Sequence, residues 1–211
     1  MKCPICGKRK SKRYCPAKGE MICPVCCGEK RGIEISCPSD CPYFAQGQRY
    51  QEEKVTRQRI SKEGVGAYVR RSELYNRNPR IFHYIEIAMA ELCRQESGIQ
   101  NRDVVEALEL VERTLDTRKS GIIYEHRSQN AIANELSRRV LEAIREAERG
   151  LEGRARLTVD FEKEAIKEFK NEVRFYMETD TNPRSYVNHI LRYHPSRQKA
   201  STASGIIILP K

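Results

Sequence analysis

Eight cysteines fall within the first 41 residues of this 211-residue chain: Cys3, Cys6, Cys15, Cys23, Cys26, Cys27, Cys37 and Cys41. Their pattern is C-x2-C-x8-C-x7-C-x2-C-C-x9-C-x3-C. So dense a run of thiols is a disulfide framework or a metal-binding module, and the compartment decides which. The opening Met1-Lys2-Cys3-Pro4 has no apolar leader of the secretory kind. No run approaches the roughly 18 apolar residues of a membrane span. A cytoplasmic, reducing setting with no membrane attachment is therefore expected, and there thiols stay reduced and bind metal.

The local chemistry agrees. Cys3-Pro4-Ile5-Cys6-Gly7 and Cys23-Pro24-Val25-Cys26-Cys27-Gly28 both have the form of a metal knuckle. A two-residue gap places two sulfurs on one ion, Pro stiffens the turn, and the small residue that follows lets backbone N–H groups point at sulfur. Five of the eight cysteines precede proline, which suits a loop-rich module nucleated by metal. Sulfur ligands in fours favour zinc over an iron–sulfur cluster. Eight ligands make two tetrahedral sites. Adjacent Cys26 and Cys27 point different ways and so serve different ions. The expected sets are Cys3, Cys6, Cys23 and Cys26 for one Zn²⁺, and Cys15, Cys27, Cys37 and Cys41 for the other, interleaved as a cross-brace. Two sequential sites are the alternative. Four protein ligands on each ion leave no open position for substrate, so both zincs are expected to be structural. About forty residues cannot enclose a sufficient apolar core, so metal must supply most of the folding free energy.

The stretch from Tyr14 through Cys15-Pro16-Ala17-Lys18-Gly19-Glu20-Met21-Ile22 to Cys23-Pro24-Val25-Cys26, with the preceding C-x2-C, resembles the middle of a B-box zinc finger. The resemblance covers residues 3–41. It implies a two-zinc cross-brace and a role in protein–protein contacts. Lys18 stands where that family usually has a fourth ligand, with Cys27 the residue available to fill the gap. Cys37 and Cys41 stand where it usually has histidines.

From residue 43 onward the pattern is helical. Residues 44–78 are basic with few apolar anchors and read as a solvated helical linker. Apolar residues then recur at three- and four-residue steps along Ile81–Leu92, Val104–Leu115, Ile132–Ile144, Phe161–Met177 and Tyr186–Leu191. Asn78-Pro79, Asn101, Ser128, Asp160 and Asn182-Pro183 mark the helix starts. The expected architecture is mostly α: a two-zinc finger (1–43), the basic linker (44–78), a helical bundle (79–194) and a tail (195–211) with a short apolar end. Ser120-Gly121-Ile122-Ile123 and Ser204-Gly205-Ile206-Ile207 are near-identical, and are either a coincidence or a pair of short strands. Cys93 sits on a helical apolar line and reads as a small core residue.

The charge is uneven. Lys and Arg number 39 and Asp and Glu 29, a formal net of +10, and all of it lies in residues 1–80. Thiolate ligands and two Zn²⁺ lower the real excess. Lys8, Arg9, Lys10, Lys12 and Arg13 form a basic run between Cys6 and Cys15. Tyr68, Arg70, Arg71, Tyr75, Arg77 and Arg80 alternate aromatics with arginines. Cations can meet phosphate, and exposed rings can stack on bases. No P-loop or dinucleotide fingerprint is present. Glu125-His126 is a dyad by adjacency only, and His189 and His194 read as surface groups near a helix end. The expected function is non-enzymatic: a zinc-binding interaction or regulatory adaptor that meets a protein partner. The alternative is binding of DNA or RNA through the basic residues of 1–80.

Overall fold

Apolar residues at helical spacing must find a common interior, and five of the helices so marked do. The computed structural model describes residues 1–38, 40–149 and 157–194. Its elements run β1 (Arg13–Cys15), β2 (Glu20–Ile22), α1 (Pro24–Lys30), α2 (Pro42–Glu63), α3 (Val65–Arg77), α4 (Pro79–Gln95), α5 (Asn101–Lys119), α6 (Ala131–Arg149), α7 (Val159–Thr179) and α8 (Ser185–Tyr193). The chain is mostly α, with one two-stranded sheet among the described residues. It divides between Ala45 and Gln46, inside α2. Residues 44–78 form α2 and α3, and most of them belong to the same unit as the bundle. The tail from Pro195, with the second Ser-Gly-Ile-Ile, lies outside the described residues.

In the larger unit α6 packs on α4 and α5, α7 on α5, and α8 on α4 and α7. Phe82, Ile85, Leu108, Val111, Leu136, Val140, Phe169, Val173 and Tyr186 meet in the interior. Each fully buried side chain of this size contributes about 1.5–3 kcal/mol. Met177, the last residue of the α7 line, is exposed. Four ion pairs, Lys119–Asp160, Lys163–Asp116, Lys170–Glu112 and Arg174–Glu109, step in opposite directions along α5 and α7, so these helices run antiparallel. Cys93 is buried, and burial pushes its thiol up to about 12.

The helix ends correct the sequence in detail. Asn78 accepts from the Ile81 N–H at 3.3 Å with Pro79 first in the helix, as expected. Asn101 does not cap α5, the task its position suggests. The Asp103 carboxylate accepts from the Gln100 N–H at 2.8 Å instead. Asn101 is buried and reaches across to α8, accepting from the N–H groups of Tyr186 and Val187 and donating to Ser185 Oγ at 2.9 Å. A residue 84 positions away thus caps α8. Asn130 rather than Ser128 accepts from the first N–H groups of α6, and Thr158 caps α7. Ile122-Ile123-Tyr124 is an exposed loop and makes no strand; Ile123 is 99% exposed.

In the smaller unit β1 and β2 form an antiparallel hairpin that pairs Arg13 with Ile22, Tyr14 with Met21 and Cys15 with Glu20. The turn needs a left-handed residue, which Gly19 supplies at φ +66°. Cys15 and Ile22 face inward and Tyr14 and Met21 face solvent. The interior is made of the cysteines with Ile22, Ile35 and Phe44.

Candidate metal centre

Two knuckles build the centre. In the first, the Gly7 N–H donates to the Cys3 carbonyl at 2.7 Å, and Gly7 takes φ +63°, a turn that folds Cys6 back over Cys3. The Cys3 N–H donates to the Arg9 carbonyl and closes the loop. In the second, Cys23 ends the hairpin and is the N-cap of α1, with Pro24 first in the helix. Cys26 follows one turn later, so both sulfurs lie at the helix N-terminus. The Cys26 N–H donates to Cys23 Sγ at 3.4 Å, and the Cys23 N–H donates to Cys3 Sγ at 3.2 Å.

The result is a cluster. The sulfurs of Cys3, Cys6, Cys23 and Cys26 all lie within 4.8 Å of one another, and those of Cys6 and Cys23 are 3.9 Å apart. Four sulfurs bound to one Zn²⁺ at about 2.3 Å stand roughly 3.8 Å apart, so the set fits the ion with little movement. Its electrostatics ask for one. Backbone N–H groups of Arg9 and Lys8 pull the Cys6 thiol down to about 6. Burial, and then the neighbouring sulfurs of Cys23, Cys6 and Cys3, push Cys26 up to about 12. Four thiolates cannot share so small a space without a cation between them. Four protein ligands fill a tetrahedral ion, which makes the site structural in type.

The other four cysteines are also buried in this unit. Burial raises the Cys37 thiol, against a hydrogen bond from the Gly32 backbone that lowers it. These four sulfurs are not gathered as closely. Among the described residues only Cys3, Cys6, Cys23 and Cys26 close to metal-binding spacing. Arg13 Nη1 lies 3.8 Å from Cys27 Sγ, with its guanidinium 4.7 Å above the Tyr43 ring.

The basic residues separate into two kinds. Lys8, Arg9, Lys10 and Lys12 are exposed and form no ion pair among the described residues. The α3 cations behave otherwise. Arg71 bonds both Glu63 and Glu168, and Arg77 pairs with Glu164 at 2.9 Å while lying over the Phe161 ring. Tyr75 stacks on Phe82 at 4.4 Å. With Tyr75, Arg71 and Arg77 link α3 to α4 and α7. Arg70 remains exposed.

Glu125 pairs with Arg145 at 2.8 Å, and the His126 ring lies edge-on to Tyr124. A feature the sequence did not disclose is an open pocket of about 290 Å³ lined by α2, α3, α4, α7 and α8. His194 meets Glu86 there at 2.9 Å, and His189 lies 4.0 Å from Glu172. The one available signal was two histidines and two glutamates on otherwise apolar helix lines.

No protein-family model, no curated protein and no solved structure matches this chain.

Proposed function

We propose that this protein is a zinc-structured interaction adaptor, whose N-terminal module presents a fixed binding surface to a protein partner. The observation that supports the reading best is the closed Cys3, Cys6, Cys23 and Cys26 set, which holds a hairpin whose outer face is apolar. Tyr14 and Met21 stand opposite each other on that face, both exposed, and Val25 is exposed on α1. Lys12 and Lys18 are exposed nearby in the chain. An exposed apolar pair on a fixed hairpin suits the apolar side chain of a protein partner. In this reading Cys15, Cys27, Cys37 and Cys41 take a second Zn²⁺, which completes the cross-brace that the B-box resemblance implies. Metal analysis of reduced protein then returns two zincs, and Cys27→Ser returns one.

A second reading has its own support. Lys8, Arg9, Lys10 and Lys12 are exposed and form no salt bridge among the described residues, whereas Arg71 and Arg77 on α3 do. Nucleic acid would meet the module through that run. Binding to mixed DNA and RNA across a salt series separates the two. A steep fall in affinity with salt, lessened in the Lys8→Ala/Arg9→Ala variant, selects nucleic acid. Absence of binding at low salt, together with a partner lost on Tyr14→Ala, selects the adaptor.

A further inference from the structure

An open groove of about 590 Å³ runs between α3 and α7, with the last turn of α2 beside it. Arg71 on α3 bonds Glu168 on α7, and Arg77 pairs with Glu164, so the two helices run antiparallel along it. The carboxylates that line the groove are all engaged. Glu63 and Glu168 face both Arg71 and the buried Arg59, and Glu178 pairs with Lys62. Of the lining cations, Arg174 reaches Glu109 at 3.2 Å. Two cations are left over. Arg70 and Lys167 are exposed and form no salt bridge among the described residues. Their chain neighbours Arg71 and Glu168 are bonded to each other, so Arg70 and Lys167 stand at one level on the two walls.

The lining is also partly apolar. Ala67 and Leu74, both half-buried, come from α3, and Phe175 comes from α7. The stretches of chain outside the described residues offer no complement to the two cations. Residues 150–156 hold one Glu against two Arg, and residues 195–211 hold Arg197, Lys199 and Lys211 with no acidic side chain. The complement must come from another molecule. A phosphate backbone would run past three glutamates and leave the apolar wall unused. A peptide with an apolar residue beside acidic ones matches the cations and the apolar wall together. From Lys167 to Glu178 the α7 wall is roughly 16 Å long, enough for about three turns of a helical segment.

We propose that this groove is a docking surface for an acidic segment of a partner protein, with its carboxylates on Arg70 and Lys167 and an apolar side chain against Ala67, Leu74 and Phe175. The groove lies wholly within the bundle, so this proposal and the reading of the zinc module can fail separately.

The test pans a displayed library of random twelve-residue peptides on zinc-loaded full-length protein, then titrates the enriched peptides, as synthetic compounds, into isotope-labelled protein. At least one enriched peptide is expected to carry two or more Asp or Glu beside an aliphatic or aromatic residue, and to shift amides of α3 and α7 saturably. Arg70→Glu/Lys167→Glu reverses two exposed, unpaired charges, leaves the core untouched, and should weaken that peptide about tenfold or more. Arg49→Glu/Lys54→Glu makes the same change in net charge on α2, outside the groove, and should change the affinity less than threefold. The proposal is overturned if no enriched peptide shifts α3 and α7, or if those that do lack acidic residues. It is equally overturned if the groove variant binds like the wild type, or if both variants weaken binding alike. A twelve-residue oligothymidylate that shifts the same amides as tightly as the best peptide would overturn it in favour of nucleic acid.

Discussion

Residues 1–45 and residues 46–194 are held together by different forces. The bundle buries long apolar side chains from five helices, and its charges are paired along helix faces. The N-terminal module buries chiefly cysteine, with Ile22, Ile35 and Phe44 as its largest aliphatic and aromatic interior groups. A thiol is a small hydrophobe and cannot replace a core of leucines. The bundle's stability is therefore intrinsic to the chain, and the module's is conditional on an ion and on reduced sulfur. The charges follow the same division. Lys62, Arg71 and Arg77 on α2 and α3 pair with glutamates of α7, whereas Lys8, Arg9, Lys10 and Lys12 between Cys6 and Cys15 are left at the surface. A basic stretch on a bundle helix and a basic stretch on a metal-held loop do not carry the same meaning.

The sharpest way to break this division is to remove the metal. Binding of a structural zinc is worth about 10–16 kcal/mol in small modules, more than such a module can recover from packing. Cys23→Ser, or strong chelation, is expected to abolish metal binding at the first site and to expose the amides of residues 1–45 to rapid exchange. Most of the helical circular dichroism should survive. If chelation melts both regions in one transition, the division is wrong.

The converse perturbation is Phe169→Ala. Phe169 is fully enclosed on α7 and touches Phe82, with ring centroids 5.5 Å apart. A loss of about 3–5 kcal/mol from the helical unfolding transition is expected, through lost burial and the cavity left behind. Zinc stoichiometry should not change. A fall in metal content in this variant would mean that the module depends on the bundle.

How far the sequence discloses each region follows from the range of the forces involved. Helical periodicity is local, so the lines through Ile85, Leu108, Val140 and Val173 could be read directly. Knuckle spacing is local too, which is why Cys3 with Cys6 and Cys23 with Cys26 were legible, and their convergence on one ion is what the cross-brace reading requires. What escaped is non-local. The partners of Arg71 and Arg77 lie about ninety residues away on α7. Nothing near α3 announces them, and the basic residues looked idle. His189 and His194 were misread as surface groups for the same reason. Their neighbours Glu172 and Glu86 come from other helices, and the pocket exists only when five elements meet.

Asn101→Ala isolates one such non-local contact. Its side chain caps α8 and holds Ser185, and its loss leaves two N–H groups and a hydroxyl short of partners in a buried place. A destabilisation of about 1–3 kcal/mol is expected in the bundle transition. Exchange should quicken first at the start of α8. Asn101→Asp keeps the acceptor and should recover part of the loss. Were both variants to match the wild type, the cap would be incidental.

The smallest effect comes from pH. Glu135 on α6 bonds Arg138 through both its oxygens and Arg139 through one, at 2.5–2.9 Å, and these guanidinium groups hold its carboxyl down to about 2. A carboxylate depressed on folding stabilises the fold above its ordinary pKa, near 4.5. That stabilisation fades as pH falls from about 4.5 toward about 2. Because the group is more than a third exposed, solvent screening limits the contribution to under about 1 kcal/mol. Zinc ligands compete with protons over a higher range, so the two regions respond to acid in sequence, module first. Measuring in chelator removes that first event and leaves the bundle alone. The denaturation midpoint of wild type should then fall slightly further than that of Glu135→Gln between pH 4.5 and 2, with the two converging at the acid end. A difference that grows on the alkaline side instead would place the stabilising charge elsewhere. It would also mean that the surface pairs of α6 contribute nothing to the bundle.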